Sequence, residues 1–166
     1  MQTIQLKLDE AKMKATLQSV SKMGKEAKAA AMKELGATAE DIMATAEKNL
    51  RKNNSIATSN LVTSGRIVRY DKGFTVAFIA SYAWAIEFGR KAGAIVTTED
   101  LIPWVKKKLR INNPKKQKVV AFFVSRAIFR HGTKPKPFFY PAYEKVIKGI
   151  SGRIINAINK ALRLAI

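Results

Sequence analysis

Residues 66–80 read RIVRYDKGFTVAFIA, and this stretch decides the fold class because it predicts a β-hairpin in a chain otherwise patterned for helices. Both halves are rich in β-branched and aromatic residues, which favour strands. The link between them, Asp71-Lys72-Gly73, is short and contains two residue types that tight turns prefer. We therefore expect two antiparallel strands that are joined by a turn at residues 71–73.

The chain before the hairpin predicts a strand, helices and a loop. Residues 4–8 alternate apolar and polar side chains, which is typical of a short strand. Asp9 then suits the N-cap of a first helix, whose apolar positions are Met13, Leu17 and Val20. Residues 53–65 are rich in Ser, Thr and Asn and predict a loop, with room for one helical turn.

A long helix is predicted over about residues 24–52. Apolar residues recur there at steps of three or four from Ala27 to Leu50, and the pattern stays in phase across Gly36. Gly36 would cost this helix about 1 kcal/mol. The alternative is a turn at Gly36, with Thr38 as a new N-cap and Asp41 three residues later.

The chain after the hairpin predicts further helices. YAWAIEFG, residues 82–89, predicts a short helix that ends at Gly89. Residues 90–136 predict an insertion of two helices, the first beginning at Thr97 or Thr98 and the second running from Pro114 to Gly132. The inward face of the second helix is expected at Val120, Phe123, Ala127 and either Phe129 or Arg130, and Phe122 is expected in the core with Phe123.

Three prolines, Pro135, Pro137 and Pro141, predict an extended arm through KPFFYPA that delivers Phe138, Phe139 and Tyr140 to the chain's own core or to a neighbour. Pro141 suits the first turn of a C-terminal helix. The apolar residues of that helix recur at steps of three or four: Ile147, Ile150, Ile154, Ile158, Ala161 or Leu162, and Ala165. Two glycines, Gly149 and Gly152, weaken the helix locally.

Together these patterns predict one α+β domain over residues 1–166. Long N-terminal helices and a C-terminal helix would pack on a small antiparallel sheet. The core would comprise about residues 1–89 and 137–166, and residues 90–136 would form a basic helical insertion.

The net charge of +19 is concentrated in the second part of the chain. Residues 1–54 carry ten basic and seven acidic side chains, whereas residues 55–166 carry twenty-one basic and five acidic ones. Such a field attracts nucleic acid and acidic protein surfaces alike, although a solvated helix face is the plainer interpretation. The candidates for contact with DNA or an acidic partner are Lys106, Lys107, Lys108, Arg110, Lys115, Lys116 and Lys118.

The residue inventory argues against an enzyme. The chain has no Cys and a single His, His131, at a predicted helix C-terminus where a cation complements the dipole. No Gly-rich phosphate loop occurs, and the acidic residues show no paired spacing for acid–base work. We therefore expect no catalytic residue, cofactor or metal. Without an apolar run of about 18 residues or an apolar signal core, we also expect no membrane span and no secretion.

Glu87 lies among Trp84, Ile86 and Phe88, and an acid in such surroundings needs a partner if it is buried. A basic residue of the same chain or of a neighbouring subunit would satisfy it. Glu87 is therefore a candidate interface residue.

Three motifs in this order resemble a tail-component family of tailed bacteriophages, in the neck or tail-completion region that joins head to tail. IATSNLVTS, residues 56–64, resembles the family's P-x-D-T-G-x-L-x-x-S at Thr58 and Leu61, but Ser59 replaces the Gly, and the Pro and Asp are absent. YAWAIEFGR, residues 82–90, resembles Y-A-x-x-V-E-F-G, and GTKPKPFFYPA, residues 132–142, resembles G-T-x-P-x-P-F-F-x-P-A. LIPWVKKKL, residues 101–109, is similar to an insertion of many members. The resemblance covers about residue 24 to the end.

The resemblance implies a structural virion protein, assembled in the host cytoplasm, that forms a ring around the DNA channel as part of the head–tail connector. Six copies are favoured over twelve, with neighbouring neck, portal-adaptor, tail-tube or terminator proteins as partners. The basic insertion would face genomic double-stranded DNA or an acidic neighbouring protein. The implied subunit-interface candidates are Tyr82, Trp84, Glu87, Phe88, Arg90, Phe138, Phe139 and Tyr140. The alternative is a free-standing basic nucleic-acid-binding protein.

Overall fold

The computed structural model describes residues 4–7, 24–53 and 60–164, and it has the expected α+β architecture. The elements in chain order are β1 (Ile4–Lys7), α1 (Lys25–Lys52), α2 (Asn60–Thr63), β2 (Gly65–Tyr70), β3 (Gly73–Phe78), α3 (Ala83–Phe88), α4 (Thr98–Lys108), α5 (Pro114–His131), α6 (Tyr140–Ile147) and α7 (Ile150–Leu164). The helix predicted after Asp9 and the loop at residues 54–59 lie outside the described residues.

In the described part of the chain, the sheet has three antiparallel strands in the order β1-β3-β2. The predicted hairpin is confirmed, with Tyr70 opposite Gly73 across the two-residue turn Asp71-Lys72. β3 is the central strand, and it buries Val76, Ala77 and Phe78. The sheet therefore has β2 at one edge.

Helix α1 runs unbroken through Gly36, so the alternative of a turn there is wrong. The Thr38 hydroxyl donates a hydrogen bond to the carbonyl of Glu34 (2.8 Å), which is a bond within a continuing helix and not a cap. A Cβ on Gly36 would lie 3.1 Å from the ring of Phe74. The glycine thus lets the hairpin approach the helix closely.

Two groups of buried side chains lie along α1. Its C-terminal half packs with β3 and α6 through Leu50, Phe78 and Ala142, and its N-terminal half packs with α7 through Leu35 and Ile154. The burial of these side chains is the main source of stability, at roughly 25 cal/mol per Å² of apolar surface.

The C-terminal helix is not continuous, which corrects the sequence-based expectation. It breaks between Ile147 and Ile150, where Gly149 has a φ of +85°. The break allows α6 and α7 to reach the two different groups of buried side chains along α1. Glycine adopts this left-handed conformation without the steric cost of a Cβ.

Arg153 holds α7 against α1 from the solvent side. Its guanidinium donates to Glu34 (2.6 Å) and to Asp41 (3.2 Å), two carboxylates that lie two turns apart on α1. The hydrogen bond to Glu34 raises the pKa of Arg153 above its ordinary value. The guanidinium is therefore charged in both ion pairs at neutral pH.

The insertion forms a helical hairpin of α4 and α5, whose ends are set by the predicted residues. The Thr97 side chain accepts a hydrogen bond from the backbone N–H of Asp100 (3.2 Å) and caps α4. Pro114 begins α5, Asn113 caps it, and Gly132 ends it with a φ of +67°. We call residues 98–131 the basic hairpin.

The inward face of α5 differs from the predicted one. Gln117 and Ala121 are buried, whereas Phe123 is 64% exposed and Phe129 is 51% exposed. The side chain of Gln117 donates a hydrogen bond to the carbonyl of Ile111 (2.7 Å), so a buried polar residue gives a carbonyl of the α4–α5 loop its hydrogen-bond partner. Among the other residues assigned to that face, Val120 is half-buried, Ala127 and Arg130 are exposed, and Phe122, expected in the core, is exposed as well.

Candidate functional site

The centre of the candidate site is the carboxylate of Glu87, the last but one residue of α3. Its side chain is buried, at 2% exposure, and it accepts three backbone hydrogen bonds. Oε2 accepts from the N–H groups of Phe138 (2.8 Å) and Phe139 (2.9 Å), and Oε1 accepts from that of Tyr140 (2.9 Å). We call this arrangement the Glu87 clasp.

The carboxylate of Glu87 caps the N-terminus of α6, although Glu87 lies in α3, far from α6 in the sequence. Tyr140 is the first residue of α6, and the N–H groups at a helix N-terminus lack partners within the helix. The positive end of the helix dipole also favours an anion at this place. Each charge-assisted bond is stronger than a neutral one, so the clasp fixes α3 against α6.

Further backbone bonds join the same two segments. The N–H of Lys136 donates to the carbonyl of Ile86 (2.8 Å), and Arg90 and Thr133 exchange a pair of N–H···O bonds (3.0 and 2.9 Å). Gly89 permits this approach, because a Cβ there would lie only 2.4 Å from the carbonyl oxygen of Thr133. The segments 82–90 and 132–142 therefore form one unit.

Two asparagines, Asn49 in α1 and Asn53 directly after its end, hold this unit to the core. Asn49 donates to the carbonyl of Phe138 and Asn53 donates to that of Pro137, both at 2.9 Å. The proline-containing arm has no regular secondary structure between residues 134 and 138, so these side chains give its carbonyls the partners that a strand or helix would supply. The rings of Phe138 and Phe139 then pack edge-on against Phe78.

These contacts correct part of the predicted interface. The partners of Glu87 are backbone N–H groups, so the expectation of a basic partner residue is wrong. Phe138 and Phe139 are buried in the chain's own core, because they fill the space between α1 and β3. In this fold Glu87, Phe138 and Phe139 thus have no side-chain surface that a second subunit could contact.

The remaining interface candidates lie at or near the surface of the unit. Trp84 is 43% exposed and Phe88 is 55% exposed, and their ring centroids are 5.4 Å apart. Tyr140 is exposed, while Tyr82 and Arg90 are half-buried. The assignment of these five residues to a subunit interface stays a prediction.

Trp84 and Phe88 line a groove with a volume of about 450 Å³, which we call the Trp84 groove. Arg90 and Lys91 contribute positive charge to its lining. The groove thus combines two exposed aromatic rings with two cations, which suits a partner surface that is apolar at its centre and acidic at its rim.

The basic hairpin presents the predicted cations. Lys106, Lys107, Arg110, Lys115, Lys116 and Lys118 are exposed, and Lys108 is half-buried. The outer side of α5 adds exposed aromatic rings, with the Arg126 guanidinium 5.8 Å from the ring centroid of Phe122. A cation that was not among the predicted contact residues and an exposed aromatic ring thus lie together on α5.

Within the described ranges, the acidic and histidine side chains form no group of three or more that could hold a metal ion. None of the helices described is both long and apolar enough to cross a membrane. Comparisons of the chain with protein-family models, with curated proteins and with solved structures give no match.

Asn49, Asn53 and Arg153 were missed from the sequence, although they hold the arm and α7 in place. Asn49 and Arg153 lie in helices and Asn53 directly follows α1, and residues of these types are mostly exposed in proteins, so the sequence alone indicates solvated positions. The available signal for the asparagines was the proline-containing arm itself, since its carbonyls need donors from elsewhere in the chain.

Proposed function

We propose that the chain is a structural protein of a tailed-phage neck or tail-completion region. It would form a ring around the DNA channel and connect the portal side of the head to the tail. One observation carries this proposal. The two segments that resemble the phage family most closely, residues 82–90 and 132–142, are joined by the Glu87 clasp and leave aromatic surface exposed beside them.

The exposed surface supports a role in assembly. Contiguous exposed apolar side chains on a soluble chain mark sites of protein contact. The Trp84 groove has such side chains, together with the charge of Arg90 and Lys91. A contact between this groove and a different surface of the next copy would be heterologous, and heterologous contacts that close produce cyclic rings.

The basic hairpin gives the ring a second kind of contact. Its exposed cations would face genomic DNA in the channel or an acidic surface of a neighbouring neck, portal-adaptor, tail-tube or terminator protein. Contacts with DNA phosphates would be independent of base sequence and would weaken as salt rises. The function proposed is thus binding and sealing, with no chemical step.

Native mass spectrometry of the purified chain, with and without a short DNA duplex, tests the proposal. We expect species of six copies, or of twelve, without DNA. The double variant Trp84→Ser with Phe88→Ser should be monomeric and folded, because both side chains are exposed. The matched control is Ile155→Ser, which removes an equally exposed apolar side chain from α7 and should retain the ring.

The alternative function is a free-standing nucleic-acid-binding protein, which the exposed cations and aromatic rings of α5 favour. A monomer or dimer that takes up duplex stoichiometrically, with an affinity that falls steeply with salt, would support this alternative and count against the ring. A monomer that ignores DNA would mean that the ring, if it forms, needs a partner ring as a template.

A further inference from the structure

Among the described strands, β2 lies at an edge of the sheet and has no strand on its outer side. Its residues from Arg66 to Tyr70 are all exposed, and Tyr70 reaches 57%. Alternate residues of an antiparallel strand turn their N–H and C=O groups away from the neighbouring strand. In the part of the chain that the structure describes, no hydrogen bond from outside the β2–β3 pair reaches the backbone of residues 67–70.

Among the residues that the structure describes, this edge shows few of the devices that protect sheet edges. The register with β3 is one residue to one residue from Gly65 to Tyr70, so no bulge twists the strand away, and the strand contains no proline. Ile67 and Val68 are exposed apolar residues in the middle of the strand. Within the described ranges, the charged side chains of Arg66 and Arg69 are the protection that remains.

We propose that β2 binds an extended acidic segment of a partner protein, which adds to the sheet as a fourth strand. Strand addition of this kind takes its affinity from main-chain hydrogen bonds and its specificity from the side chains on each face. The proposal goes beyond the ring function, since it concerns a different surface and would stand if no ring formed.

The two arginines decide the charge of the partner strand. Successive side chains of a strand point to opposite faces, so Arg66 lies on the face of Val68 and Tyr70, and Arg69 lies on the face of Ile67. The Arg66 guanidinium is held in place by the carbonyls of Thr63 and Gly65 (2.6 and 2.7 Å). A partner strand with one acidic residue opposite each arginine would carry its two acidic residues three positions apart, with two apolar residues between them.

The same charges argue against a second copy of β2 as the partner. Two copies of β2 that paired with each other would bring four arginines and no acidic side chain into one pair of strands. Like charges on neighbouring strands repel each other and destabilise the pair. The arginines therefore disfavour pairing between copies and favour an acidic strand from another protein.

The direct test is an NMR titration of the full ¹⁵N-labelled chain with two capped peptides, TEVVET and TKVVKT. We expect the acidic peptide to shift the amide signals of β2, to slow their hydrogen exchange and to bind about tenfold more tightly than the lysine peptide. The variant with both Arg66→Glu and Arg69→Glu should reverse the preference. Equal responses to both peptides, no response, or acidic-peptide shifts confined to the basic hairpin would overturn the proposal.

Discussion

Substitution of Glu87 by Gln tests the Glu87 clasp with a minimal change of shape. The amide of Gln has one acceptor oxygen, which can occupy the place of Oε2 and keep the bonds from Phe138 and Phe139. Its NH₂ group then faces the N–H of Tyr140, so one donor loses its partner. An unsatisfied buried donor costs about 1–3 kcal/mol, and the two remaining bonds lose their charge assistance.

The expected loss for Glu87→Gln is therefore about 2–4 kcal/mol in the free energy of unfolding, a large part of the roughly 5–15 kcal/mol of a typical domain. Urea denaturation followed by far-UV circular dichroism measures it. Glu144→Gln makes the same chemical change at an exposed position of α6 and should stay within about 0.5 kcal/mol of the unmodified chain.

Hydrogen exchange gives the local readout for the same variant. The amides of residues 138–140 should exchange faster in Glu87→Gln than in Glu144→Gln, because they lose an anionic acceptor that the structure places within 2.9 Å. Equal unfolding midpoints and equal exchange for the two variants would refute the idea that the carboxylate holds α3 to α6.

Two further predictions concern α7. Gly152→Ala should stabilise the chain by about 0.5–1 kcal/mol, because the added methyl group meets no atom and alanine favours the helix. Gly149→Ala should instead destabilise the chain, because Gly149 has a φ of +85° that alanine adopts only with strain. Thermal melts in which both variants shift the melting temperature in the same direction would contradict these predictions. Arg153→Met should lower the free energy of unfolding by about 0.5–1 kcal/mol, the range for half-exposed ion pairs, and raised salt should shrink the difference. Arg163→Met, an exposed change on the same helix, is the control, and a loss as large as that of Arg153→Met would show that the ion pairs are not its cause.

Local signals were predicted well from the sequence. The turn at residues 71–73, the helix start at Pro114 and the stop at Gly132 are all confirmed, and of the two threonines predicted as a cap, Thr97 caps α4. Each of these features depends on a few neighbouring residues. The unbroken α1 was also predicted, because a stripe that stays in phase across a glycine reflects one continuous buried face.

Features that depend on distant segments could not be predicted in the same way. The partners of Glu87 are backbone N–H groups, which every residue except proline carries and which no letter of the sequence distinguishes. The sequence does not distinguish the exposed Phe123 from a buried phenylalanine, because the packing of α4 against α5 decides which face of α5 is buried. The break at Gly149 follows from the two separate groups of buried side chains on α1.

The Glu87 clasp has a consequence for how freely the basic hairpin can vary in size. The clasp joins residues 51 positions apart, and nearly all of the intervening chain is the hairpin and its connections. The entropic cost of closing a loop grows only with the logarithm of its length, at about 0.6 kcal/mol for each doubling. A longer or shorter hairpin would therefore change the closure cost by less than the clasp contributes, so the length of the hairpin and the stability of the core can vary independently.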